Sequence, residues 1–153
     1  MFDKKRLKIL MVEDTENNHP LFREAFGTAG FEVLISQTAE PGFEEVVGNL
    51  KPDIISMDLM IGKEGEVIER DGLKALEALK ADERTKDIPV IVMTNFFEDS
   101  KIEKAKSLGA VDFISLQAHN IKTIPQIFLS YLENPKKYFA IHPTFRNTQN
   151  TSN

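Results

Sequence analysis

The chain has 153 residues, of which 41% are hydrophobic and 28% charged, and it contains no cysteine. One compact domain of that size buries roughly 70% of its unfolded surface, without disulfide or thiolate-metal staples. The net charge of −5, from 24 acids against 19 basic residues, speaks against the electropositive stripe that nucleic-acid binding needs, and no apolar run approaches the about 18 residues of a bilayer span.

In chain order, apolar runs alternate with amphipathic segments, the signature of βαβ units. The N-terminal MFDKKRLKILMVED ends its short apolar run in acids and is no secretory signal, so the expected compartment is the cytoplasm. Leu7–Val12 predicts a parallel strand covered on both faces. Pro20–Ala29 places Leu21, Phe22, Ala25, Phe26 and Ala29 at helical spacing, and Gly30 ends the helix. Phe31–Ser36 predicts the second strand, and Pro41–Leu50 a helix with Phe43, Val46, Val47 and Leu50 inward. Asp53–Asp58 is the third strand, and Leu73, Leu76 and Leu79 mark the third helix. Pro89–Thr94 is the fourth strand, followed by a helix carrying Ile102, Ala105 and Leu108 and ended by Gly109. Val111–Leu116 is the fifth strand, and the last helix runs from Ile121 to Leu132 with Pro125 in its first turn.

Five strands alternating with five helices predict a doubly wound five-stranded parallel sheet of order 2-1-3-4-5, in an α/β sandwich. The domain is expected over residues 5–133. Residues 134–153 form a basic, aromatic-containing tail, expected to be partly disordered, with three basic residues and no acid, which leaves −8 on the rest of the chain.

Ligands of an open parallel sheet bind beyond the carboxyl ends of its strands, where strand order reverses. Strand one ends in Glu13-Asp14, strand three in Asp58, strand four in Thr94-Asn95 and strand five in Leu116-Gln117. Strands one and three are neighbours in this topology, so three carboxylates converge. They cannot all stay ionised without a pKa rising or a cation binding. All-oxygen ligation with room for waters describes Mg²⁺ better than zinc or copper. A hydroxyl beside such a cluster, Thr94, can donate to a phosphoryl oxygen, and the chemistry joining these parts is phosphoryl transfer onto an aspartate. Taken singly, the same residues read as a helix-start acid pair, a solvated turn acid and a β-branched strand residue; only their joint placement is specific.

From about Leu7 to Leu132 the chain resembles a receiver domain of the two-component response regulator family, in a flavodoxin-like fold. The resemblance is carried by KILMVED with Glu13-Asp14, PDIISMD with Asp58, IPVIVMT with Thr94, and SLGAVDFI with Phe113. It implies that Asp58 accepts a phosphoryl group from a sensor histidine kinase or a histidine phosphotransfer protein. It implies that Glu13, Asp14, Asp58 and the backbone carbonyl of Met60 hold Mg²⁺. Thr94 and Phe113 are then the coupled switch pair, acting on the surface formed by helix four, strand five and helix five.

Two departures stand out. The family's strand-five lysine, three residues after Phe113, is Leu116 here, followed by Gln117 in place of proline. Charge balance then leans on Mg²⁺, and Lys63 is the candidate substitute cation. The family's Asp-Gly before helix three appears as Asp71-Gly72, about six residues late, so the loop Leu59–Arg70 exceeds the usual roughly 2–6 residues. Gly62 stands in it where proline is usual. Asn95 and Phe96 follow Thr94 where the family favours a small residue, and Met60 and Phe96 are expected to slow hydrolysis of an aspartyl phosphate. His19, His119 and His142 show no metal spacing. The tail, with Tyr138, Phe139, Ile141 and Phe145, is open to packing on the domain, dimerisation or a linker role.

The expectation is a stand-alone receiver that signals through a downstream protein. Its first rival is a degenerate receiver acting as a phosphorylation-independent interaction module. Two enzymes of similar topology fit less well. A haloacid-dehalogenase-type phosphatase wants an Asp at Met60, and a flavodoxin-like flavin protein wants a glycine-rich phosphate loop where EDTENN stands.

Overall fold

The computed structural model describes residues 5–61, 70–95 and 98–146. Its elements are β1 (Leu7–Val12), α1 (His19–Thr28), β2 (Phe31–Ser36), α2 (Phe43–Leu50), β3 (Ile54–Met57), α3 (Gly72–Ala81), β4 (Val90–Thr94), α4 (Asp99–Ser107), β5 (Asp112–Ser115) and α5 (Ile124–Glu133). Short 3-10 turns form at Glu16–Asn18 and Pro143–Phe145. All strands pair in parallel, in the order β2-β1-β3-β4-β5. This is the expected doubly wound sandwich.

Alternation along each strand builds two cores. Leu10, Val12, Ile55, Met57, Val90, Val92 and Phe113 face the α2–α3–α4 side. Ile9, Met11, Ile54, Ile91, Met93 and Ile114 face α1 and α5, where Phe26 packs on Phe31 at 5.6 Å and edge-on to Phe128 at 5.1 Å. Each such side chain contributes about 1.5–3 kcal/mol on burial. Both border strands are partly covered by polar groups. At the outer border of β2, the Arg6 and Arg23 guanidinium groups donate to the carbonyls of Phe31 (3.0 Å) and Val33 (3.3 Å).

Several boundaries differ from expectation for physical reasons. β3 stops at Met57, and its flanking acids take other roles: the Asp53 carboxylate accepts from the Lys8 amide at 2.7 Å. α2 begins two residues after Pro41, because Gly42 sits at φ +98°, a left-handed conformation outside the helix. α5 begins at Ile124, with Pro125 in its first turn as expected. Val46 does not point inward: it is 52% exposed, while Phe43 and Val47 are buried in the core and Leu50 packs against it, half-buried. Leu21 is likewise half exposed.

The tail folds onto the domain. Residues 135–146 leave α5 and run back along β5 to the Pro143–Phe145 turn, which rests on α4. Asp112, fully buried, accepts from Tyr138 Oη, from the Ile141 amide (2.7 Å) and from the His142 amide (3.1 Å). The polar end of the tail, residues 147–153, lies outside the described residues.

Candidate functional site

The register of the sheet brings the acids together. Val12 pairs with Met57, and the Asp58 amide donates to the Val12 carbonyl at 3.1 Å, so the residues after both strands leave the sheet side by side. Carboxylate oxygens of Glu13, Asp14 and Asp58 lie within 4.8 Å of one another. Glu13 and Asp58 are buried, at 2% and 8% exposure, while Asp14 is half-buried.

Thr94, the last residue of β4, donates its hydroxyl to Asp58 Oδ1 at 2.6 Å, and the Met60 amide donates to the same oxygen at 3.1 Å. Burial pushes the Asp58 carboxyl up to about 7, and the Glu13 charge pushes the same way, against the Thr94 and Met60 hydrogen bonds. The carboxylate is therefore poised for a positive partner. Three hard oxygen donors opening on a recess with room for water suit a hard divalent cation.

That recess, of about 360 Å³, is lined by Asp14, Thr15, Asp58, Met60, Thr94 and Asn95, none of them basic. Met60 is 56% exposed. Leu116 packs its side chain against the α1–α5 core and offers no charge to the recess. Lys63, Gly62 and most of the long loop, and Phe96, lie outside the described residues. Phe113 is buried on the α4 side of the sheet, with its ring 5.8 Å from that of His142.

Two supporting residues were not assigned a role from the sequence. His19 donates from Nε2 to the Glu13 carbonyl at 2.8 Å, tying α1 to the acid-bearing turn, and the Thr15 amide holds Glu13 Oε1 at 2.9 Å. His19 has no spacing signal, because its partner is a backbone oxygen. The other two histidines stay apart from the acids: His119 is half-buried beyond β5, and His142 belongs to the tail.

The base of the long loop is fixed on both sides. Ile61 is buried, and Arg70 pairs with Glu44 of α2 while its amide donates to Glu40 at 3.1 Å. The Gly72 amide then donates to the Leu59 carbonyl at 3.0 Å, and Asp71 caps α3 through the Lys74 amide at 2.9 Å.

Comparison with known proteins gives a consistent picture. The model of the response regulator receiver domain matches residues 9–127. The polar-differentiation response regulator DivK of Brucella ovis is 30% identical over 107 residues, covering 70% of this chain and 81% of that protein. A protein-glutamate methylesterase/protein-glutamine glutaminase of Myxococcus xanthus is 28% identical over 149 residues, covering 95% of this chain and 40% of that protein. The chain thus spans well under half of the methylesterase and 21% of the Escherichia coli regulatory protein AtoC. Among solved structures, Vibrio cholerae CheY4 aligns with a TM-score of 0.67 at 18% identity, covering 82% of this chain and 98% of that one. The phosphorylated cyanobacterial phytochrome response regulator RcpA aligns with a TM-score of 0.65 at 23% identity, covering 86% and 96%. At those identities the structures establish the fold. Among the described residues no helix is long and apolar enough to cross a membrane.

Proposed function

Because the chain belongs to the response regulator receiver domain family, we propose that it is a phosphoacceptor switch, with Asp58 taking a phosphoryl group from the phosphohistidine of a sensor kinase or histidine phosphotransfer protein. It is a regulatory phosphoacceptor and not an enzyme in the ordinary sense. The observation that carries the proposal is the meeting of Asp58 with Thr94 at 2.6 Å and with two further carboxylates within 4.8 Å.

In the transfer, an Asp58 carboxylate oxygen forms the new P–O bond as the P–N bond of the donor breaks, and the imidazole leaves carrying a proton. The nucleophile must be ionised, so a group held up at about 7 is limiting below neutrality. Glu13, Asp14, Asp58 and the Met60 carbonyl are the groups that would hold Mg²⁺, which supplies charge neutralisation for the phosphoryl oxygens. The Thr94 hydroxyl transfers its hydrogen bond from the carboxylate to a phosphoryl oxygen. Phe113, on the strand paired with β4, repacks in response, and the altered face signals to a downstream protein.

A second reading is favoured by one observation: among the described residues none lining the recess is basic, and Leu116 is engaged elsewhere. In that reading the chain is a phosphorylation-independent interaction module. Incubation with acetyl phosphate and Mg²⁺, read by intact-protein mass, separates the two. A single phosphoryl adduct absent from Asp58→Asn supports the switch; no adduct from acetyl phosphate or phosphoramidate supports the module.

A further inference from the structure

The face where β5 meets α4 is already occupied by the chain's own tail. Asp112 is a fully buried carboxylate on the border strand, and three of its hydrogen bonds come from the tail: Tyr138 Oη, the Ile141 amide and the His142 amide. The next residue, Phe113, presents its ring to His142 at 5.8 Å and to Phe145 at 6.5 Å. Phe145 packs on the main core, and Tyr138 is braced edge-on by Tyr131 at 5.3 Å. The tail also closes on itself: Arg146 donates to the Ala140 carbonyl at 3.2 Å and lies 4.4 Å over the Phe139 ring. Residues 135–146 are thus a folded strap over the neighbour of the switch aromatic.

We infer that this strap is a reversible occupant of the α4–β5 face and that loading of Asp58 releases it. The inference rests on the reading of Asp58 as phosphoacceptor. A route joins the two places: Asp58 bonds Thr94, Thr94 pairs with Ser115 of β5, and Phe113 lies two residues along that strand against the strap. Beside Phe113, a recess of about 460 Å³ lined by Ile102, Ser115, Ala118 and His142 gives the ring room to change place. A shift of the ring alters the seat of His142 and Phe145 directly.

The strap is held both by its hydrogen bonds to the buried Asp112 carboxylate, where charged acceptors make each bond stronger than a neutral one, and by its aromatic contacts, and it is the aromatic contacts that a shift of Phe113 alters. Once the strap leaves, the uncovered surface offers a carboxylate beside an aromatic ring. It fits a partner segment that brings backbone amide donors and an aromatic side chain, as the strap itself does.

A chain of contacts is only a route, and coupling is what an experiment must measure. The probe is beryllofluoride with Mg²⁺, added to the full chain, with binding read by fluorine NMR and strap opening by hydrogen exchange at the Ile141 and His142 amides. At least tenfold faster exchange at both amides on binding, with the Met11 amide of β1 unchanged, is the expected result. Tyr138→Phe should speed exchange at both amides without the probe and tighten probe binding by a matching factor, since coupling between sites is reciprocal. Bound probe with unchanged exchange at both amides overturns the strap inference alone. Faster exchange in Tyr138→Phe with unaltered probe affinity also overturns it. Absence of probe binding overturns the phosphoacceptor reading and the inference with it.

Discussion

Gly72 lies against Asp58 so closely that a Cβ at residue 72 would come within 2.1 Å of the Asp58 carbonyl oxygen and 2.7 Å of the Leu59 Cα. The first residue of α3 is therefore part of the wall behind Asp58. No side chain fits that contact, because the atoms in the way are backbone.

Gly72→Ala should accordingly move Asp58 as well as destabilise the domain. Overpacking of this kind costs about 1–3 kcal/mol, or a fall in Tm of roughly 2–10 °C for a domain of this size. A Mg²⁺ titration of the variant at a temperature where it remains folded should show weaker binding. Unchanged affinity would mean that the backbone at Asp58 tolerates the push.

Stability should depend on pH through Asp58. Its carboxyl is raised from 3.8 to about 7 by burial first, and by Glu13. A raised acid favours folding fully below its unfolded value and loses that contribution as pH climbs through the folded value. Between about pH 4 and pH 7, metal-free protein should lose up to a few kcal/mol, and Asp58→Asn should escape that loss. At pH 8 in EDTA the Asn variant should melt several degrees higher than the parent, and Mg²⁺ should raise the Tm of the parent alone. Melting curves across this range check both signs.

Thr94→Val removes the hydroxyl that lowers the Asp58 pKa. The pH midpoint for labelling by acetyl phosphate should rise by about one unit, and labelling at pH 6.5 should fall roughly tenfold. A pH–rate profile of adduct formation by intact mass tests this. A slower rate with the same midpoint would assign Thr94 to the transfer step and not to the ground-state carboxylate.

Leu116→Lys should accelerate labelling of Asp58 at least tenfold if a missing cation limits the reaction. The Leu116 side chain sits at the margin of the α1–α5 core, where a lysine stem can retain the packing while its ammonium reaches water. Equal labelling of parent and variant would show that charge balance does not depend on this position.

Much of this was legible in the sequence, for reasons that particular residues make plain. Glu13-Asp14, Asp58 and Thr94 each follow or end a near-continuous apolar run, and a parallel sheet delivers all such ends to one edge, so spacing alone places them together. The strap was not legible, because two of its three bonds to Asp112 come from backbone amides, which leave no mark in residue type. Val46 misled for a related reason: apolar spacing in α2 gives a face but not its width, and a helix over a border strand buries only a narrow stripe. His19 opens α1, and its ring bonds a carbonyl six residues back, a partner that residue type and spacing do not reveal.

The two guanidinium groups on β2 bear on how copies of this chain can associate. Arg6 and Arg23 occupy the carbonyls of Phe31 and Val33 on the side facing away from β1. A strand arriving from another molecule would have to displace both before it could add to the sheet. The opposite margin lies under the strap, so strand addition is obstructed at β2 by the two guanidinium groups and at β5 for as long as the strap is seated.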